Sequence, residues 1–140
     1  MNVYYEISFI GFFIVALCLG VNGIVYLFRT QIMSYHQQAM EMDWSDMPKG
    51  MQIMVLSFMK SAAAGMIATC IAMMAVLYIP FRQRELWSII TLGIIALCEL
   101  GLITSRVYLV RYHTKGKPPF LFPAVLCILL VISIIFAFIA

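Results

Sequence analysis

The sequence predicts an all-α fold: an antiparallel bundle of four transmembrane helices, with a short interfacial amphipathic helix between the first and second spans. Residues 1–140 form a single integral membrane domain. Three observations lead there. Hydrophobic residues make up 64% of the chain and charged residues only 11%, with a mean hydropathy of +1.02, whereas about a quarter of the residues of a soluble domain are charged. A soluble fold of this length could not hide that much apolar surface. Four apolar runs reach the roughly 20 residues that a helix needs to cross a hydrocarbon core of about 30 Å. Two of the three connections are short turns rich in proline, which force antiparallel neighbours.

The first span covers about 7–28. Its flank, Met1–Glu6, has no Lys or Arg, and its apolar portion is longer than a signal-peptide core, so it is expected to be retained. The segment Arg29–Gly50 has its own pattern. Met33, Gln37, Met40, Trp44 and Met47 recur at helical spacing, with Gln31, Ser34, Gln38, Glu41 and Ser45 opposite, which predicts an interfacial helix over about 31–45. The second span, about 51–79, is expected to end at Pro80, followed by the tight joint Pro80–Glu85. The third runs over about 86–110. Gly116, Pro118 and Pro119 then stop the helix before the fourth span, about 120–140.

Sidedness follows from the cations. Arg82 and Arg84 lie on the side of the termini, while Arg29, Lys49, Arg111, Lys115 and Lys117 lie opposite. The positive-inside bias places that second group in the cytoplasm and both termini outside, in a multi-pass protein of the cell inner (plasma) membrane. Tyr4, Tyr5, Tyr78 and Trp87 on one side, and Tyr26, Tyr35, Trp44, Tyr108 and Tyr112 on the other, fit the interfacial aromatic belts.

One carboxyl lies deep. At about 1.5 Å of rise per residue, Glu99 is roughly 20 Å from the start of the third span and Asn22 roughly 22 Å from the start of the first, so the two are level. Arg106 and Lys60 fall near the cytoplasmic edge by the same reckoning, and together the four predict a polar funnel opening to that side. Gly93, Ala96, Glu99, Ile103 and Arg106 share one face of the third span. Lys60, Ala64, Ala68, Ile71 and Ala75 make a similar stripe on the second, with Ser61 and Gly65 beside it. Gly11, Val15, Cys18 and Asn22 share a face of the first, and the fourth, whose one polar residue is Ser133, reads as the lipid-facing or partner-facing wall. Arg106 leans toward Glu99 and is its expected charged neighbour. Glu99 is either a structural acid hydrogen-bonded to Asn22 or a backbone carbonyl, or a proton-binding group. Lys60 leans out of the membrane and snorkels.

Other chemistry finds little support. The net charge of +3 is spread beside apolar segments, which argues against nucleic acid and for lipid headgroups. Cys18, Cys70, Cys98 and Cys127 fall one per span without a paired motif, so neither a thiol-disulfide site nor a zinc set is suggested. Met33, His36 and Met40 have spacing that would suit Cu(I), but a methionine-rich face is more simply a pliable apolar surface for lipid or a partner helix, and no metal or cofactor is expected. There is no phosphate loop and no nucleophile set with histidine and acid, so an enzyme is not the favoured reading.

Tyr35-His36 and Trp44 in the first loop, Pro80-Phe81-Arg82 after the second span and Pro118-Pro119 before the fourth give the chain a look that resembles the small bacterial four-helix membrane proteins of the DoxX-like group. The resemblance covers the whole chain in architecture and implies the four-helix fold without an established activity. Small multidrug exporters are similar in size and helix number, but their acid belongs in the first helix, where this chain has Asn22. The leading expectation is therefore a non-enzymatic membrane protein that binds a membrane-protein partner or lipid through its helix faces. Met33, His36, Met40, Trp44 and Met47 are its expected interfacial face. The alternative is an oligomeric proton-coupled small-solute transporter using Glu99.

Overall fold

A computed structural model describes residues 2–140. Its helices are α1 (Val3–Phe28), α2 (Ser34–Met40), α3 (Lys49–Val76), α4 (Leu86–His113) and α5 (Leu121–Ile139), with a 3-10 turn at Trp44–Asp46 and a π turn at Leu77–Phe81 continuing α3. No strand occurs among the described residues. The four long helices α1, α3 with its π turn, α4 and α5 are long and apolar enough to cross a membrane, which makes the chain a multi-pass membrane protein.

Local chemistry fixes the helix ends. The Asn2 side chain accepts from the Tyr4 amide to cap α1, and Glu6 sits in the first turn, near the positive end of the helix dipole. Pro48 precedes α3, and the Gln52 side chain donates to the carbonyls of Trp44 and Met47, holding the incoming loop against the helix start. Thr114 closes α4 by donating to the Val110 carbonyl. Pro123 lies in the first turn of α5, where its missing N–H has no intrahelical partner to lose.

The long helices run up and down in sequence order. α1 packs on α3 and α5, α4 closes the ring against both, and α1 and α4 barely touch across the middle. Phe12, Leu19, Met73, Leu77, Leu92, Leu100 and Leu130 fill the interior. Small residues bring α1 close to its neighbours: a Cβ on Gly23 would lie 3.0 Å from the backbone oxygen of Ala63, and Gly11 faces Ser133. At the end nearest the α3–α4 joint the core is aromatic, with Tyr5 stacked on Phe81 at 4.5 Å and Phe12 edge-on to Phe81 at 5.7 Å.

Four details differ from the sequence expectation. Pro80 does not end the second spanning helix. The wider π turn accommodates a residue without an N–H, so the helical path continues to the buried Phe81 and the joint shrinks. The interfacial helix is two pieces, because Glu41 adopts a left-handed conformation (φ 50°) and the amides of Glu41 and Met42 fold back onto Gln38 and Gln37. Apolar periodicity carries no sign of such a cap when the residue is not glycine. The stripe Lys60, Ala64, Ala68, Ile71 and Ala75 points outward, and Met59, Ala63, Met66 and Met73 form the buried face of α3 instead. Both faces are apolar, so periodicity alone could not choose between them. Finally, α5 has an open outer face, with Leu121, Val125, Ile128, Val131 and Ile135 exposed, but it also carries a packed inner face that the sequence did not mark. Pro123, Leu126, Leu130, Ser133 and Ala137 are buried, and the Ser8 hydroxyl donates to the Ser133 carbonyl at 2.7 Å across the α1–α5 contact.

Candidate functional site

Between the parts of α3 and α4 remote from their joint lies a cleft of about 310 Å³, lined by Ala62 and Met66 of α3, Glu99 and Arg106 of α4, and Tyr35 and His36 of α2. Glu99 reaches it because Ala96 and Leu100 take the buried face of α4 and leave Glu99 on the flank, half-buried. Arg106, two turns on, is exposed at the same flank. A smaller cavity of about 80 Å³ adjoins the cleft through Tyr26, Met66, Ile103 and Val107, and Asn22 lines it.

The structure brings Glu99 and Arg106 to one cleft but does not pair them. The Lys115–Glu41 contact at 2.8 Å is the one ion pair among the described residues, and it is exposed. Asn22 donates to the Cys18 carbonyl one turn back at 2.9 Å rather than to Glu99. Side chains four apart on a helix are neighbours, and this local acceptor satisfies the amide without a second helix. Lys60 is exposed and takes no part in the cleft. The expected funnel is therefore a largely apolar cleft with one acid inside and one guanidinium at its edge.

Tyr26 and Tyr35, expected in the aromatic belt, and His36, expected on the interfacial face and weighed with Met33 and Met40 for Cu(I), shape the mouth. The hydroxyls of Tyr26 and Tyr35 hydrogen-bond to each other, linking α1 to α2. Burial, and then the Tyr26 hydroxyl, push the Tyr35 phenol above the usual tyrosine range, so it stays neutral. Burial also lowers the His36 pKa, favouring the uncharged imidazole. Below them, a Cβ on Gly116 would lie 2.6 Å from the Tyr35 carbonyl and 2.9 Å from the Ala39 methyl. Only glycine lets the α4–α5 turn lie this close to α2. A glycine two residues before Pro118 was the available signal, but it read as a helix stop.

The expected interfacial face turns toward its own bundle. Met33, His36, Met40 and Trp44 are half-buried and Met47 is 4% exposed, while Tyr26, Val55, Met59 and Val110 enclose a space with His36 and Met40. What stays uncovered is the flank of α3 beside the cleft. Ala62, Gly65 and Ala72 are exposed, Thr69 is half-exposed, and the four follow steps of three and four; a Cβ on Gly65 would meet nothing within 4 Å. Across the cleft, Cys98 and Leu102 are exposed on α4. Among the described residues no three His, Cys, Asp or Glu side chains gather at metal-binding range.

Compared with known proteins, the chain matches no family model, no curated protein and no solved structure.

Proposed function

We propose that this chain is a non-enzymatic integral membrane protein that works by binding, and that the open flank of α3 and α4 receives a transmembrane helix of another membrane protein. The observation that carries this reading is the contrast between two outward surfaces. The outer face of α5 presents Leu121, Val125, Ile128, Val131 and Ile135, all large and exposed, as a lipid-facing surface does. The α3 flank presents Ala62, Gly65 and Ala72 beside an unpaired Glu99. In a bilayer, helices associate through close van der Waals approach and interhelical hydrogen bonds rather than through hydrophobic burial, so small residues next to a polar group favour a helix over acyl chains. An acid in that position gains a hydrogen-bond partner when the helix docks. The cation asymmetry supports an orientation with α2 in the cytoplasm and both termini outside.

Site-specific photocrosslinking in native membranes tests the proposal. A crosslinker at Ala62 or Leu102 should give one protein adduct of defined mass, a crosslinker at Ile128 should give lipid only, and Gly65→Leu should remove the adduct. Labelling of lipid alone at Ala62, or an adduct indifferent to Gly65→Leu, would overturn it.

A second reading, an oligomeric proton-coupled transporter of a small solute, draws support from Glu99 and Arg106 lining the same cleft. It requires that Glu99→Gln abolish proton-coupled uptake by reconstituted protein.

A further inference from the structure

The opposite rim of the bundle carries a charged site that the α3–α4 flank does not involve. A depression of about 400 Å³ is lined by Tyr5, Glu6, Phe9, Arg82 and Arg84. Its two guanidiniums are held by aromatic rings. Arg82 lies 5.1 Å from the ring centroids of both Phe9 and Tyr78, and Arg84 lies 5.1 Å from that of Tyr5. The rings themselves are fixed: Phe9 and Tyr78 meet edge-on at 5.6 Å, Tyr5 stacks on Phe81, and the Tyr5 hydroxyl donates to the Phe81 carbonyl. Cation–π contacts orient a guanidinium while leaving its N–H edge free for an anion.

Neither arginine is neutralised. Among the described residues no carboxylate lies within ion-pair distance of Arg82 or Arg84, and Glu6, on the wall of the same depression, has no cationic partner either. Two guanidiniums and one carboxylate thus line a single depression without pairing, a charge pattern complementary to a ligand that carries an anion and a cation together. Depth narrows the source. α1 has 26 residues, about 39 Å at the helical rise against a hydrocarbon core of about 30 Å, and the charged Glu6, Arg82 and Arg84 at this end favour placing its first turn at the headgroup layer, where charged side chains are tolerated.

We propose that this depression binds the headgroup of a phospholipid bearing a primary ammonium, with the phosphate on Arg82 and Arg84 and the ammonium on Glu6. Bidentate N–H donation suits a phosphate. A primary ammonium offers N–H donors to the Glu6 carboxylate, which a quaternary ammonium lacks. The exposed ring of Tyr78 borders the site on the membrane side, where the glycerol end of the lipid leaves it.

Native mass spectrometry of the full chain, delipidated and then exposed to equimolar dioleoyl lipids, tests this. Phosphatidylethanolamine should be retained about fivefold or more over both phosphatidylglycerol, which lacks the cation, and phosphatidylcholine, whose cation has no N–H. Glu6→Gln should bring the ethanolamine and glycerol lipids to within about twofold of each other, while Arg82→Gln combined with Arg84→Gln should lower retention of all three. Equal retention of the ethanolamine and glycerol lipids by the unaltered chain, or an undiminished preference in Glu6→Gln, overturns the proposal. Soluble phosphoethanolamine is the arm that separates lipid from free ligand. Displacement of the lipid by it at equimolar concentration would overturn the lipid assignment in favour of a soluble zwitterion. If the double arginine variant does not fold, the Glu6→Gln comparison decides by itself, because that substitution leaves the aromatic platform untouched.

Discussion

Replacing Gly23 by alanine measures how much of the bundle rests on the close approach of α1 and α3. The new methyl would sit 2.8 Å from Ile67 Cγ1, 3.0 Å from the Ala63 carbonyl oxygen and 3.1 Å from Met66 Cβ. Ile67 can partly turn away, but the Ala63 oxygen belongs to the backbone of α3 and moves only if the helix moves. Overpacking of this kind costs about 1–3 kcal/mol. Against it stands the better helix propensity of alanine, about 1 kcal/mol. Gly65→Ala supplies the control, since it gains the same propensity and its methyl meets nothing within 4 Å. Propensity cancels between the two variants, so Gly23→Ala should be less stable than Gly65→Ala by the overpacking cost alone, about 1–3 kcal/mol. Reversible unfolding by sodium dodecyl sulfate in mixed micelles, followed by far-UV circular dichroism, reads that difference. Equal stability, or a more stable Gly23→Ala, would refute the close approach as the organising contact.

Two further outcomes follow from the polar groups. His36 sits outside the spanning helices with its pKa lowered by burial, so the unfolded chain takes up a proton at about pH 6.5 and the folded chain only at lower pH. The docking of α2 should be at full strength above pH 6.5, weaken as the pH falls below it, and level off beneath the folded pKa; smaller amide protection factors in α2 at pH 5 than at pH 7.5, after division by the intrinsic exchange rate at each pH, with the difference abolished by His36→Gln, are the expected sign. Ser8→Ala removes the bond from α1 to the Ser133 carbonyl and should cost about 0.6 kcal/mol, the mean for interhelical hydrogen bonds in a membrane protein, whereas Ser105→Ala, whose hydroxyl donates to Leu102 of its own helix, should leave the same unfolding midpoint unchanged.

The candidate site was legible in part. Glu99 and Arg106 share a flank of α4 because their spacing of seven residues is two helical turns, and that relation needs no tertiary information. Their neighbours were not legible. Level depth suggested Asn22 as the partner of Glu99, but depth says nothing about rotation about the helix axis, and Asn22 bonds to its own helix. The stripe with Lys60 failed for a related reason. On α3 both the small-residue face and the methionine face are apolar, and the structure buries Met59, Met66 and Met73, with Met73 in the interior cluster, Met66 against Gly23 of α1 and Met59 beside His36 and Met40 of α2. The cleft mouth depends on contacts between residues far apart in the chain, such as Gly116 under Tyr35, which no local pattern encodes.

The amino-acid sequence by itself determined that four helices cross the lipid and in which alternating order, because the length of an apolar run is matched to bilayer thickness and the short connections after the second and third runs leave room only for antiparallel neighbours. Only the tertiary structure decided which side of each helix is hidden. In a chain that is apolar all round, that choice is made by shape, by where Gly11 admits Ser133 and Gly23 admits α3, and shape belongs to pairs of helices rather than to any one of them.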